Sequence, residues 1–318
     1  MKSTNILICG NTGMVGHAIY QRFRLNKNIR IYTSNSEYNN LMNYNQILEF
    51  LESKEIDIII DCAARVGGIL GNSRDNAGFL YDNMMMGFNL INAAQKAWVK
   101  KMIFLGSSCI YPKNAENPIK PDELLNGKLE ETNEGYALAK ISCIKLCQYY
   151  RRQYGFQYIS LMPCNLFGDF DNYNLVNAHV IPNLIRKFDI AKEKNQPQVE
   201  LYGDGTPLRE FLYAGDLANA CHKLCQEEDW SKFPDIINVG SGVEISIKDL
   251  ANLIKKYMGY NGEIIWNTNY SNGTIRKLLD SSYIRSLGWQ PSNYSFEDRI
   301  KMQIQRYYNE KELKLLRI

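Results

Sequence analysis

The stretch Asn5 to Tyr20, NILICGNTGMVGHAIY, limits the possible folds more than any other part of the chain. An apolar run ends at Cys9, Gly10, Gly13 and Gly16 follow in a GxxGxxG spacing, and helical periodicity begins at Met14. A buried strand that passes through three spaced glycines into a helix must reverse within a few residues. Gly10 allows the tight turn, Gly13 lets the backbone approach an anion, and Gly16 lets helix and strand pack closely. The free N–H groups at the helix start attract a pyrophosphate. Gly10, Asn11, Thr12, Gly13, Met14, Val15 and Gly16 are therefore the expected cradle of a dinucleotide, with a tight turn that binds nothing as the competing reading.

The rest of the first half continues in the same rhythm. Short apolar runs at Ile29 to Thr33, Ile56 to Ala64, Lys101 to Ser107 and Gln157 to Pro163 read as buried strands. Between them, Met14 to Leu25, Tyr44 to Ser53, Tyr81 to Ala97 and Tyr136 to Tyr154 have helical length and period. Such alternation predicts an α/β fold, a doubly wound parallel (Rossmann-like) sheet with ligands beyond the carboxyl ends of its strands. From about Leu166 the pattern loosens into Gly-, Asp- and Asn-rich segments, and helices resume at Ala214 to Gln226, Ser246 to Met258 and Phe296 to Tyr308. The expected organisation is a dinucleotide-binding domain over 1–165, with about 210–240 returning to it, and a smaller C-terminal substrate lobe over 166–318.

Bulk properties exclude several classes. A formal net charge of +3 with scattered basic residues argues against nucleic acid or an anionic membrane as partner. No apolar run has the length of a membrane span. Eight cysteines without a CxxC pair or a secretory signal fit a reducing, cytoplasmic setting, and with three histidines no metal site is expected. Cys143 and Cys147, Cys221 and Cys225, and Met84 to Met86 read as packing residues.

Two motifs carry chemistry. In GSSCIYPK, Gly106 to Lys113, hydroxyls and a thiol stand where a buried strand ends. In YALAK, Tyr136 and Lys140 are one helical turn apart, so both share a face. An ammonium beside a phenol favours the phenolate, and Ser107 at the strand tip can share a substrate oxygen with Tyr136. Ser107, Tyr136 and Lys140 together can polarise a ketone and protonate the alkoxide that hydride arrival leaves. With the glycine loop, these features resemble the extended short-chain dehydrogenase/reductase superfamily. Cys109 then stands out: with His179, in Asn177 to Pro182, it forms a base/acid pair suited to epimerisation beside a ketone.

The ordered stretches GMVG, ARVGGI, NMM, LGSSCIYPK, EGYALAK, QYG, MPCNLFG, NAHVIP, GDGTPLREF, INVGSGV and RKLLD resemble the GDP-L-fucose synthase family along nearly the whole chain. The resemblance implies NADPH held by the glycine loop, Ala63, Leu105, Gly106, Ser107, Ser108, Tyr136, Lys140, Pro163, Cys164, Asn165, Leu166 and His179. It implies a GDP-linked 4-keto sugar contacted by Ser108, Cys109, Asn165, Val180, Lys187, Tyr202, Arg209, Asn272 and Lys277. Arg209 is the expected fork for the diphosphate. It also implies a homodimer paired through the Tyr136 helix and the helix before it. Against the family pattern, Lys187 stands for Arg, Tyr202 for Trp, Asn272 for Asp, Gly135 for Pro and Thr12 for Arg. Gly135 is expected to loosen the loop presenting Tyr136, and the sugar-facing changes point to a 4-keto heptose as an alternative to the 6-deoxyhexose. Between Thr33 and Asn40 there is Glu37 but no arginine, so the residues themselves leave NADH open beside NADPH. Reduction alone after a separate epimerase, or an NAD-dependent epimerase or dehydratase, are the other readings.

Overall fold

In a computed structural model of the chain, the described residues are 3–34, 37 and 39–318. The first half runs β1 (Thr4–Cys9), α1 (Met14–Phe23), β2 (Ile29–Thr33), α2 (Tyr44–Lys54), β3 (Ile58–Asp61), α3 (Ile69–Arg74), α4 (Asn76–Lys96), β4 (Lys101–Leu105), α5 (Glu134–Tyr154) and β5 (Gln157–Pro163). The second half runs β6 (Asn165–Phe167), α6 (Val180–Glu193), β7 (Gln198–Tyr202), β8 (Leu208–Tyr213), α7 (Ala214–Cys225), β9 (Ile236–Val239), β10 (Glu244–Ser246), α8 (Ile247–Met258), β11 (Glu263–Asn267), β12 (Arg276–Lys277), α9 (Ser282–Ser286) and α10 (Phe296–Glu312).

The main sheet is parallel throughout, in the order β2-β1-β3-β4-β5-β9. Its inner strands are apolar on both faces because helices cover both sides. The chain leaves β1 in opposite directions to β2 and β3, so the strand order reverses between β1 and β3. Beyond their carboxyl ends lies the crevice such a sheet offers to ligands. The register brings Cys9 beside Asp61, Asp61 beside Phe104, and Leu105 beside Leu161, which aligns the strand tips carrying the motifs.

A second, smaller core lies under α6, α8 and α10, around Phe167, Leu184, Phe188, Leu250, Ile254 and Tyr307. Its strands form a mixed sheet, β10-β8-β12 with β6 also on β8, and a β7–β11 pair. β6 follows β5 after one residue and pairs with β8, so the two cores are joined at the mouth of the crevice.

Several sequence expectations change. The third strand is Ile58–Asp61 rather than Ile56 to Ala64, because the chain turns at Asp61, whose carboxylate accepts from Ala63 N at 3.0 Å. The helix expected from Tyr81 begins at Asn76, capped by the Asp75 carboxylate on Gly78 N. Helix α6 was not expected at all. Pro182 argues against a helix interior, yet it sits in the first turn, where an amide has no intrahelical acceptor to lose. Met84 to Met86 are half-buried rather than fully inside. Cys143 packs closely: a Cβ on Gly87 of α4 would lie 2.4 Å from its sulfur.

Candidate active site

The glycine loop behaves as its spacing demands. Gly10 has φ +75°, and a Cβ there would approach the Ala63 backbone to 2.9 Å. A Cβ on Gly16 would lie 2.2 Å from Gly10 O, so α1 can reach the loop only as glycine. Gly13 differs: its imagined Cβ meets only Gly10 O, at 3.4 Å. Protein packing alone does not demand glycine there. Gly13 starts α1 with no side-chain cap, and Asn11 Oδ1 is buried without a partner. These residues fit a dinucleotide pyrophosphate. Gly10 N donates to Ser34 Oγ at 3.1 Å, tying the loop to the end of β2. Glu37 is described, whereas Asn35, Ser36 and Tyr38 of the expected ribose-reading stretch lie outside the described residues.

At the tip of β4 the backbone turns through Gly106, where a Cβ would strike Met162 Sδ at 2.4 Å. Ser107 caps a short 3-10 turn, Ser108–Ile110, by accepting from Cys109 N at 3.3 Å. The turn is anchored behind by buried Tyr111, whose hydroxyl donates to Asn238 Oδ1 at 2.6 Å. Ser108 is buried and Cys109 half-buried. Tyr136, from the first turn of α5, comes near enough to the Ser107 hydroxyl for that group to lower its pKa.

Lys140 departs from expectation. Its Nζ donates to Leu105 O at 2.8 Å and stands 5.9 Å from the centre of the Tyr136 ring. Burial pushes its pKa down, and the buried carboxylate of Asp61 pushes it back up. The Tyr136 phenol is raised rather than lowered: burial dominates, the Cys109 charge adds to it, and Ser107 opposes. The ammonium is hydrogen-bonded to Leu105 O and feels the Asp61 charge, and among the described residues no hydrogen bond ties it to the phenol. Gly135 is also corrected. It is helical and buried, its N–H donates to Asn76 Oδ1 at 3.2 Å, and a Cβ would meet Asn76 O at 2.3 Å. The segment presenting Tyr136 is packed, not loose.

The far wall comes from the second core. After β5 ends at Pro163, Cys164 N bonds Val239 O, Asn165 Nδ2 bonds Glu210 O, and Leu166 lies half-buried in β6. Arg209 donates to Leu208 O at 2.9 Å and Asn272 O at 3.4 Å. Burial lowers its pKa while the Cys109 and Glu130 charges raise it, which puts the guanidinium in the same crevice. Lys277 is its register partner on β12. Asn272 Oδ1 accepts from Asp204 N at 3.0 Å. Lys187 donates to Glu200 O at 2.9 Å and stands 4.6 Å from the Tyr202 ring, which lies against Tyr270 with centroids 4.0 Å apart. His179 and Val180 open α6. His179 is exposed at the helix start, and desolvation by the protein around its ring lowers its pKa. The loop before it docks on the β3–α3 loop through Gly68 N on Asn177 O at 3.0 Å. A hydrogen bond thus joins Ser107 and Cys109 in one turn, with Tyr136 close to both, while His179 arrives on a separate element.

Sequence reasoning missed Asp61, Asn133, Glu210 and Tyr270. Asp61 was visible as an acid ending an apolar run. Glu210, fully buried, accepts from Gly242 N at 2.6 Å and Leu279 N at 3.1 Å and so braces the strand carrying Arg209. Among the described residues no cluster of His, Cys, Asp or Glu is arranged as a metal site.

The NAD dependent epimerase/dehydratase family matches residues 6–240. GDP-L-fucose synthase of Escherichia coli is 43% identical over 295 residues, 91% of this chain and 92% of that one. The chain belongs to the GDP-L-fucose synthase family. Among solved structures, a GDP-6-OMe-4-keto-L-xylo-heptose reductase from C. jejuni aligns with this family member at a TM-score of 0.89, with 28% identity, over 98% of this chain and 99% of that one. A GDP-mannoheptose C4 reductase from Campylobacter jejuni with NADP bound aligns at 0.85, with 29% identity, over 97% and 99%. This member of the GDP-L-fucose synthase family therefore shares its architecture with solved GDP-heptose reductases.

Proposed function

We propose that the protein reduces C4 of a GDP-linked 4-keto sugar with NADPH and exchanges protons at C3 and C5 through Cys109 and His179. The observation that carries this reading is the placing of Ser107 and Cys109 in one turn at the tip of β4, with the Tyr136 phenol near enough to feel both. Gly10, Asn11, Gly13 and the start of α1 would hold the cofactor's pyrophosphate, and Ala63, Leu105, Ser108 and Pro163 would contact the rest of it. Bound NADPH supplies a hydride to C4.

The chain's own residues do the rest. Ser107 Oγ orients the C4 oxygen. Tyr136 Oη, kept protonated by burial, donates its proton to that oxygen as the carbonyl becomes an alcohol. The Asp61 carboxylate favours the Lys140 ammonium against the effect of burial, and in that form Lys140 lends positive potential to the site. Cys109 takes the proton from a carbon next to the ketone and leaves the electron pair on the sugar as an enolate; His179 returns a proton from the other side. To return that proton His179 must carry it as the imidazolium, and the lowering of its pKa makes that form a readier acid. Arg209 and Lys277 face the diphosphate. Lys187, Tyr202 and Asn272 form the rim that selects the sugar nucleotide.

A heptose in place of the 6-deoxyhexose is the second reading, supported by the likeness to the heptose reductases and by the altered rim. Supplying each GDP-4-keto sugar with NADPH in D2O separates the possibilities. Cofactor oxidation with solvent deuterium at C3 and C5 supports the full reading, and the faster sugar names the substrate. Oxidation without deuterium removes the epimerase half, and no oxidation with any such sugar overturns the assignment.

Pairing of two copies through α4 and α5 is supported by the exposed Tyr81, Leu138 and Tyr149 on those helices, and sedimentation of the intact chain tests it. A cytoplasmic location is supported by eight free cysteines, and no described helix is long and apolar enough to cross a membrane.

A further inference from the structure

Asn133 has no part in the reaction as described so far, and its surroundings call for one. It is the residue that precedes α5. Asparagine is favoured at that position because its side-chain oxygen accepts from an N–H of the first helical turn. Asn133 makes no such bond. Its amide turns into the crevice instead, where Nδ2 donates to Cys109 Sγ at 3.3 Å. The remaining oxygen, Oδ1, is buried without a partner. A side chain that forgoes a helix cap and leaves a buried acceptor unpaired weakens the fold on both counts, so stability does not account for it. What it gains is a donor fixed on a reactive sulfur, on the same element that delivers Tyr136.

We infer that Asn133 is a positioning residue for Cys109, holding Sγ toward the sugar carbon whose proton it exchanges. The inference rests on the reading of Cys109 as an exchange group. When the sulfur bears negative charge it is an acceptor only, and the amide N–H stabilises it. The proton leaves the carbon beside the ketone for Sγ, the electron pair stays on the sugar as an enolate, and the thiol S–H returns to the amide's reach. Arg209, which senses both Cys109 and Glu130, adds positive potential at the same point.

Asn133→Asp and Asn133→Ala test this together. Aspartate is as good a helix cap as asparagine and nearly the same shape, but it has no N–H to give. With keto-sugar and NADP⁺ in D2O, both variants are expected to slow deuterium uptake about tenfold or more. The reverse hydride step, reduced GDP-sugar with NADP⁺, needs no proton exchange at carbon and stays within about twofold. A residue that only supports the helix gives another pattern: Asp keeps both rates and Ala lowers both. That pattern overturns the inference. If the parent protein takes up no deuterium, it is the epimerase reading that fails. The contact is then decided by mass-spectrometric rates of Cys109 alkylation by iodoacetamide. Asn133→Asp must slow them about threefold or more for the inference to stand, and an unchanged rate rejects it.

Discussion

Burial raises the Tyr136 phenol while the Ser107 hydroxyl pulls it back, so the side chain stays a proton donor through neutral pH. Reduction needs that form, because the oxygen left at C4 must be capped. Tyr136→Phe removes the donor and leaves the ring in place. Cofactor oxidation by keto-sugar is expected to fall about 10²- to 10⁴-fold with little change in KM, read by absorbance of NADPH. Lys140 offers a second test through Asp61. Its pKa is lowered by burial and raised by the Asp61 carboxylate. Asp61→Asn removes the raising influence, so Lys140 loses its proton at lower pH than in the parent. The alkaline limb of the rate profile is therefore expected to move to lower pH, and a pH series of reduction rates checks it. The placing of the serine at a strand tip and of the tyrosine and lysine on one helix was legible from the motifs read together with the glycine loop. The direction of the tyrosine shift was not, because spacing places a lysine on the right face without saying which partner its ammonium will take.

At the scale of elements, the glycine loop separates two reasons for the same residue type. Gly16 is demanded by the helix's approach to Gly10 O, whereas Gly13 faces the cradle. Gly16→Ala is expected to lower stability by about 1–3 kcal/mol, seen as a drop in melting temperature. Gly13→Ala is expected to leave melting nearly unchanged and weaken NADPH binding, seen by calorimetry. The parallel sheet was readable because its strands are buried on both faces and appear as continuous apolar runs. Helix α6 was hidden because Pro182 lies in its first turn, where its cost is small, and because asparagine-rich sequence precedes it. The strands around Arg209 were hidden for another reason. β6, β10 and β12 are two or three residues long and owe their existence to pairing with β8, a relation that local pattern does not contain.

Across the whole molecule, the second core is closed by the chain's last residues, and acids buried beneath them make that closure depend on pH. Tyr173 N donates to Arg317 O at 2.7 Å, and Asn172 bridges Arg317. Below them Asp171 is buried, with one carboxylate oxygen unpartnered. Burial pushes its pKa up to about 7, against the Asn172 and Gly168 N–H groups and the Arg317 charge, while Glu310 adds to the rise. Glu310, facing Arg306 and Asp169, is raised by burial as well. An acid whose folded pKa exceeds its unfolded one binds more protons in the native state, so stability falls as pH rises between the two values. For Asp171 that window runs from near 4 to about 7, and the loss is at most about 4 kcal/mol. Asp171→Asn is neutral in both states and removes this slope. Its melting temperature is expected to match the parent's near pH 4 to 5 and exceed it at pH 8, measured by thermal denaturation across that range. Equal melting of the two proteins at pH 8 shows that the carboxylate ionises in the native state without cost, and the link between this buried acid and the closure of the C-terminal lobe is then lost.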